Sequence, residues 1–177
     1  KYIVVVGPHT SNFDFPLLVM VRSILRLSHI RYLAKKSVFQ PPFGFIFRKL
    51  GGTPVDRSKY NNLVEAVTAI FDAHDKFATA LAPEGTRSKV ERLKTGFYHI
   101  AKKAGASIVP VGMDYTRKIV YLEPPFLAGK SMEDDFRRLF DFFIPIQGRH
   151  PQKGIDAAMF ENMVASGLFD KKPNHLT

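Results

Sequence analysis

The sequence predicts an α/β fold, a mixed and largely parallel sheet flanked by helices on both faces. Two observations carry that expectation. Short β-branched and aromatic runs alternate along the chain with stretches of helical period, the pattern of a sheet whose strands are joined through helices. The 177 residues, 45% hydrophobic and 24% charged, are also enough to bury a substantial core in a single domain over 1–177.

Tyr2 to Val6 is long enough for a central strand and too short for a helix, and Gly7-Pro8 stops it. His9 therefore leaves the strand's carboxyl end on a loop. Ser11, Asn12 and Asp14 are all candidate caps for the apolar helix that follows. That helix is expected over Asp14 to Leu27, with Arg22 and Arg26 one turn apart on one face. Ile30 to Ala34 reads as the second strand. Pro41-Pro42 opens Phe43 to Leu50, phenylalanine-rich with Arg48 and Lys49, and Gly51-Gly52 closes it. Such a cluster suits a membrane interface or an acyl channel, and it equally suits the core, where short apolar runs are buried.

Thr53 to Val55 is a short strand ending at Asp56-Arg57. Asn61 or Asn62 caps a helix to about His74, with Leu63, Val64, Val67, Ile70 and Phe71 at helical spacing. Phe77 to Ala82 is the next strand, leaving through Pro83-Glu84-Gly85-Thr86-Arg87-Ser88. A helix over Gly96 to Ala104 ends at Gly105, and Ser107 to Gly112 is another buried strand. Ile119 to Leu122 is a further strand. Met132 to Phe143 is a helix with Glu133, Asp134 and Asp135 in its first turn, in agreement with the helix dipole. Ile155 to Ala165 is a weaker helix, and the tail beyond Asp170 is expected to be poorly ordered.

His9 and Asp14 are the pair on which a function can be built. In a tight strand-loop-helix turn the carboxylate comes back against the imidazole, holds one ring nitrogen protonated and raises the basicity of the other. A His and an Asp five apart also occur as a plain structural hydrogen bond, so the pair draws its weight from the other strand ends. In open α/β sheets ligands sit beyond the carboxyl ends of the strands. Asp56-Arg57 and Glu84-Gly85-Thr86-Arg87 stand at two more such exits. Gly85 allows a tight turn, and Arg57 and Arg87, helped by Lys94, are placed to clamp a phosphate through forked hydrogen bonds.

Composition narrows the chemistry. There is no cysteine, which excludes disulfides, thiolate zinc sites and a cysteine nucleophile, and no G-x-S-x-G elbow supplies a serine one. No acidic or histidine spacing suggests a metal site. Gly129-Lys130-Ser131 fails as a P-loop, because the glycine required five residues earlier is Pro124. His29, His74, His99, His150 and His175 have no orienting partner in sequence. The net charge of +10 is concentrated before residue 61, where Lys1, Arg22, Arg26, Arg31, Lys35, Lys36, Arg48, Lys49, Arg57 and Lys59 face only Asp14 and Asp56. That excess implies an anionic partner. No apolar run approaches the ~20 residues that cross a bilayer. Because the chain opens on a lysine inside a strand, a preceding N-terminal piece, with or without a membrane anchor, is expected.

Four blocks in order resemble the glycerolipid acyltransferase superfamily, the lysophosphatidate (1-acylglycerol-3-phosphate) acyltransferases and their relatives. They are HTSNFD from His9 to Asp14, GGTPVDR from Gly51 to Arg57, PEGTRS from Pro83 to Ser88 and IVPVGMDY from Ile108 to Tyr115; Lys94 and Gly96 fit the basic stretch after the third. The resemblance spans Tyr2 to Tyr115 and implies a glycerol-3-phosphate acyltransferase-like fold. It implies His9 as general base with Asp14 as its orienter, and direct attack of an acceptor hydroxyl on an acyl thioester, with coenzyme A or acyl-carrier protein as co-substrate carrier and no cofactor. Arg57, Glu84, Gly85, Thr86, Arg87 and Lys94 would bind the acceptor phosphate, and Pro110 with its neighbours would shape the acyl or acceptor pocket. It further implies a lysophospholipid-like acceptor and a location on the cytoplasmic face of a membrane. Backbone amides near Thr10 and Ser11 are candidates for the oxyanion site.

The basic stretch, with Arg22, Arg26, Arg31, Lys35 and Lys36, is expected to dock acyl-carrier protein or anionic head groups. The alternative function is a non-catalytic lipid- or membrane-surface-binding domain of the same fold. Nucleic acid is not expected as a partner, since no helix-turn-helix, RNA-binding or zinc signature accompanies the charge.

Overall fold

The apolar run that opens the chain becomes the centre of the sheet. In the computed structural model, which describes residues 1–42, 44–55 and 63–170, strand β1 (Tyr2–Gly7) pairs in parallel with β4 (Ala78–Leu81) on one side and β5 (Ser107–Asp114) on the other. Ile3, Val4, Val5 and Val6 are all buried, as a strand covered on both faces requires. Beyond β4 lie β2 (Ile30–Lys35) and β3 (Gly52–Val55), also parallel. The far edge is antiparallel: β6 (Ile119–Leu122) and β7 (Phe126–Leu127) both pair with β5. The order is β3-β2-β4-β1-β5-β6, with β7 off this path. The mixed, largely parallel sheet is the one expected, and β7 is an addition too short for any periodicity to show.

The two faces are covered unequally. On one, Ile3, Val5 and Ile108 meet α3 (Leu63–Asp72), α4 (Gly96–Ala104), α5 (Met132–Phe143) and α6 (Ala157–Ala165) in a core that includes Phe71, Phe97, Phe136, Phe140, Met159 and Met163. On the other, Val4, Val6, Val111 and Met113 form a thinner cluster, and the helix packed against it is α1 (Asp14–Ile24) through half-buried Leu17 and Leu18. A single helix cannot cover a sheet face. The space left between α1 and the strands is an apolar cavity of about 780 Å³.

Several expectations are corrected by local contacts. Helix α1 ends at Ile24, short of Leu27. Arg26 takes a left-handed φ of 54°, and Arg22 turns its guanidinium onto the Ile30 carbonyl at 2.7 Å and the Ser28 carbonyl. Arg22 is thus a tie between α1 and β2, and it does not join Arg26 on an open basic face. The side chain of Lys35 lies outside the described residues. Helix α6 begins at Ala157, later than Ile155, because Asp156 caps it by accepting the Met159 N–H at 3.1 Å. Ser131, from the rejected P-loop, caps α5 by accepting the Asp134 N–H at 3.1 Å.

The phenylalanine-rich segment is a short helix, α2 (Gly44–Lys49), with Phe45 and Ile46 67% and 40% exposed; for these two the core reading does not hold. Phe43, the Asp56-Arg57 exit, the candidate caps Asn61 and Asn62, and the tail beyond Asp170 lie outside the described residues. Among the described residues no helix is long and apolar enough to cross a membrane.

The unequal faces predict unequal tolerance. Phe143, fully buried with its ring against the Gly7 backbone, should cost about 3–5 kcal/mol of unfolding free energy as Phe143→Ala. Ile24, 70% exposed on α1, should stay within about 0.5 kcal/mol of wild type as Ile24→Ser. Urea denaturation of both variants checks the pair.

Candidate active site

The parallel core of the sheet sends β1, β4 and β5 out at the same edge, so the residues that follow each strand converge. After β1 come His9 to Asp14, after β4 Pro83 to Ser88, and after β5 Tyr115. The centre of the cluster is the Asp14 carboxylate, fully buried at the first residue of α1. Asp14 does not cap its own helix. Its Oδ2 reaches back over the loop and accepts the backbone N–H groups of Thr10 and Ser11, each at 2.9 Å, together with His9 Nδ1 at 2.9 Å. Its Oδ1 accepts the Tyr115 hydroxyl at 2.7 Å. Ser11 has a separate task, accepting the Phe13 N–H on its Oγ. Four donors fill the acceptor capacity of one carboxylate.

The electrostatics follow from that inventory. Burial pushes the Asp14 carboxyl up, but hydrogen bonds from His9, Tyr115 and Ser11 outweigh it, and the group titrates below its ordinary value. Asp14 is therefore an anion at neutral pH. Its contact fixes His9 with Nδ1–H toward the carboxylate and leaves Nε2 as the basic nitrogen. The Tyr115 phenol is raised by burial and by Asp14, so it stays protonated and remains a donor.

Glu84 holds the same loop from beneath. It is 2% exposed, and its Oε1 accepts the His9 N–H at 2.7 Å. Burial pushes its carboxyl up, and the His9 N–H opposes that shift without cancelling it. Its Oε2 is without a hydrogen-bond partner among the described residues. Turned onto the His9 backbone, the Glu84 carboxyl positions the loop. The N–H groups of His9, Thr10 and Ser11 are thus all directed to carboxylates, and the expectation that Thr10 and Ser11 supply the oxyanion site is corrected: both amides point inward to Asp14.

The remaining predicted residues are placed as follows. Gly85 adopts φ +67°, and a Cβ there would lie 2.6 Å from Lys94 Nζ, so the lysine lies directly across a residue that has to be glycine. The Lys94 N–H donates to the Pro83 carbonyl at 2.8 Å, closing the loop. Thr86 and Arg87 are exposed, and the Thr86 hydroxyl accepts the Ser88 N–H. Arg87 and His9 line the same apolar cavity, along with Phe15 and Leu18 of α1 and Val4 and Val6 of β1. Pro110 is buried, and its neighbours Val109 and Val111 line the cavity. Arg57 falls outside the described residues.

Sequence reasoning missed two contributors. Tyr115 closes the fourth block, and nothing local marks it as a partner of a residue 101 positions away. The segment 147–150 packs on the His9 loop. The His150 N–H donates to Thr10 Oγ1 at 3.2 Å, Gly148 lies so close to Thr10 that a Cβ would sit 2.6 Å from Oγ1, and the Arg149 guanidinium stacks 3.8 Å over Phe13.

Residues 1–114 match the family model described as Acyltransferase. The 1-acyl-sn-glycerol-3-phosphate acyltransferases of Salmonella typhimurium and Escherichia coli are each 27% identical to this chain, over 151 and 154 residues, covering 76% of it and 60% of their own length. The chloroplastic 1-acyl-sn-glycerol-3-phosphate acyltransferase of Arabidopsis thaliana is 30% identical over 123 residues, 66% of this chain and 33% of its own. The chain therefore spans at most about 60% of the length of these relatives. No solved structure matches it.

The carboxylate network predicts a difference between two substitutions. Asp14→Ala strands two backbone N–H groups, the imidazole and the phenol, and should destabilise by at least about 3 kcal/mol. Asp14→Asn keeps one oxygen for the donors on the Oδ2 side and turns its amide toward a hydroxyl able to accept, so it should fold. A lowered folded pKa contributes stability that is present above the unfolded carboxylate value and lost as pH falls through the folded one. The stability gap between wild type and Asp14→Asn should accordingly be widest at neutral pH and close in acid, as read from thermal melts across that range.

Proposed function

This chain belongs to the acyltransferase family, and from that premise we propose that it transfers a fatty acyl group from an acyl thioester to the free hydroxyl of a lysophosphatidate-type acceptor. The observation that carries the reading is the His9–Asp14 contact on the lining of an apolar cavity that Arg87 shares. At about 780 Å³ the cavity lies within the roughly 300–1,000 Å³ of ligand pockets, and its walls suit a hydrocarbon chain. His9 Nε2 takes the proton of the acceptor hydroxyl as the acceptor oxygen attacks the thioester carbonyl. The tetrahedral oxyanion collapses, the C–S bond breaks, and the imidazolium returns its proton to the departing thiolate. No acyl-enzyme forms. The donor is carried by coenzyme A or acyl-carrier protein, and no cofactor takes part.

Arg87 and Lys94 hold the acceptor phosphate beside the turn at Gly85 and Thr86, with Arg57 as the further phosphate ligand that the family resemblance implies, while Glu84 fixes the His9 backbone. Phe13, Met20, Ile24 and Leu25 are exposed on and beside α1, and Phe45 and Ile46 on α2. The Arg22 guanidinium lies against Gly51, just beyond α2, which brings the end of α1 close to the end of α2. Exposed Arg26, Arg48 and Lys49 accompany them. These exposed apolar and basic residues support docking on an anionic membrane surface from which a lipid acceptor enters the cavity.

Thioester consumption with lysophosphatidate tests the reading. His9→Ala should lower turnover at least about 10²-fold, and Asp14→Asn comparably. Arg87→Ala should raise KM for lysophosphatidate about tenfold or more, with KM for the thioester little changed. Equal turnover in wild type and His9→Ala would end the reading of His9 as the base, and vesicle binding without any acyl transfer would leave a lipid-binding domain in place of an enzyme. Ala80 on β4 lines the cavity; Ala80→Phe should lower kcat/KM for palmitoyl donor or acceptor chains about tenfold relative to octanoyl ones, in a competition assay.

A further inference from the structure

The Asp14 carboxylate is loaded unevenly. Oδ2 serves three donors, and Oδ1 serves Tyr115. The phenol is held from outside the His9 loop. Its backbone N–H donates to the Gln147 carbonyl at 2.8 Å, and the Gln147 side chain accepts the Thr116 hydroxyl at 2.9 Å. The same segment grips Thr10 through the His150 N–H. Tyr115 stands one residue beyond the stretch that matches the family model.

We propose that Tyr115 is a positioning residue that sets the orientation and basicity of His9 through Asp14. This rests on His9 being the base. A donor on Oδ1 draws charge away from Oδ2, and Oδ2 is the oxygen that holds the imidazole. With the phenol in place, the carboxylate plane is fixed and its pull on Nδ1–H is moderated. Without it, the negative charge concentrates on Oδ2 and the imidazolium is better stabilised.

The other charged groups at this place bear on the effect. Glu84 faces His9 from the exit of β4 through the backbone N–H, and the Asp14 anion adds to the burial that pushes the Glu84 carboxyl up. Arg149, from the segment after α5, acts on the Tyr115 hydroxyl in the sense that favours its ionisation and so its strength as a donor. Asp114, next in sequence to Tyr115, is paired with Arg117 at 2.9 Å. None of these replaces a donor on Oδ1.

The experiment compares wild type, Tyr115→Phe and protein carrying 3-fluorotyrosine at position 115. It reads the His9 titration by imidazole NMR and the acid limb of kcat/KM against pH. Tyr115→Phe should move the His9 midpoint up by about half a unit or more, and lower kcat at neutral pH about threefold or more with both KM values within about twofold. Fluorotyrosine keeps the shape and is the stronger donor, so it should move the midpoint down; it also carries the test if Tyr115→Phe fails to fold. A His9 midpoint unchanged in folded variants, or KM changes with an unmoved titration, overturns the proposal. The NMR titration does not depend on turnover. If it shifts as expected while His9→Ala retains full activity, the proton-transfer reading fails and the positional claim on the His9 ring stands.

Discussion

The structure depends on one buried anion. Asp14 sits at the start of α1, removed from water, and four donors converge on it from two segments of the chain. A carboxylate in such a place is costly unless every lone pair is used, and here the acceptors and donors match. The consequence is mechanical as well as electrostatic. The loop from His9 to Ser11 cannot move without breaking bonds to Asp14 and Glu84, so the imidazole at its start is held where the β1, β4 and β5 exits meet. An imidazole that is already oriented needs no reorganisation to exchange a proton.

The second constraint is the unequal covering of the sheet. Four helices seal one face with a dense aromatic core, and that side anchors β1 and the segment that follows α5. The opposite face has α1, whose inner residues line the cavity and whose outer residues are exposed. The helix that begins with the carboxylate is therefore also the wall of the apolar cavity. A displacement of α1 would act on the position of Asp14 and on the cavity together, which links what enters the cavity to the geometry of His9.

Much of this could be read from residue order. The run YIVVVGPH places a histidine at a strand exit, and a carboxylate five residues later at a helix start returns to it by simple loop geometry. The period of α4 and α5 and the buried character of β1 and β5 were equally legible, because long runs and strict spacing leave few alternatives. Pairings set by the tertiary fold were not. Tyr115 meets Asp14 because β1 and β5 are neighbours in parallel register, which no local pattern encodes. Arg22 looks like half of a basic stripe, and only the α1–β2 turn reveals that two carbonyls take its guanidinium. Thr10 and Ser11 offered free amides until the carboxylate was seen to lie beneath them. The apolar surface of α1 reads as a core helix in sequence, since hydrophobicity alone does not say which side of a helix lacks a partner.

The central claim is that Asp14 fixes His9 as a neutral imidazole protonated on Nδ1 with Nε2 bare. Two-bond ¹H–¹⁵N correlation of the imidazole at neutral pH measures this directly. The account predicts a protonated-type nitrogen at Nδ1 and a bare, basic-type nitrogen at Nε2 in wild type, and the same tautomer in Asp14→Asn, whose retained oxygen still accepts Nδ1–H. An Nε2–H tautomer in wild type would contradict it.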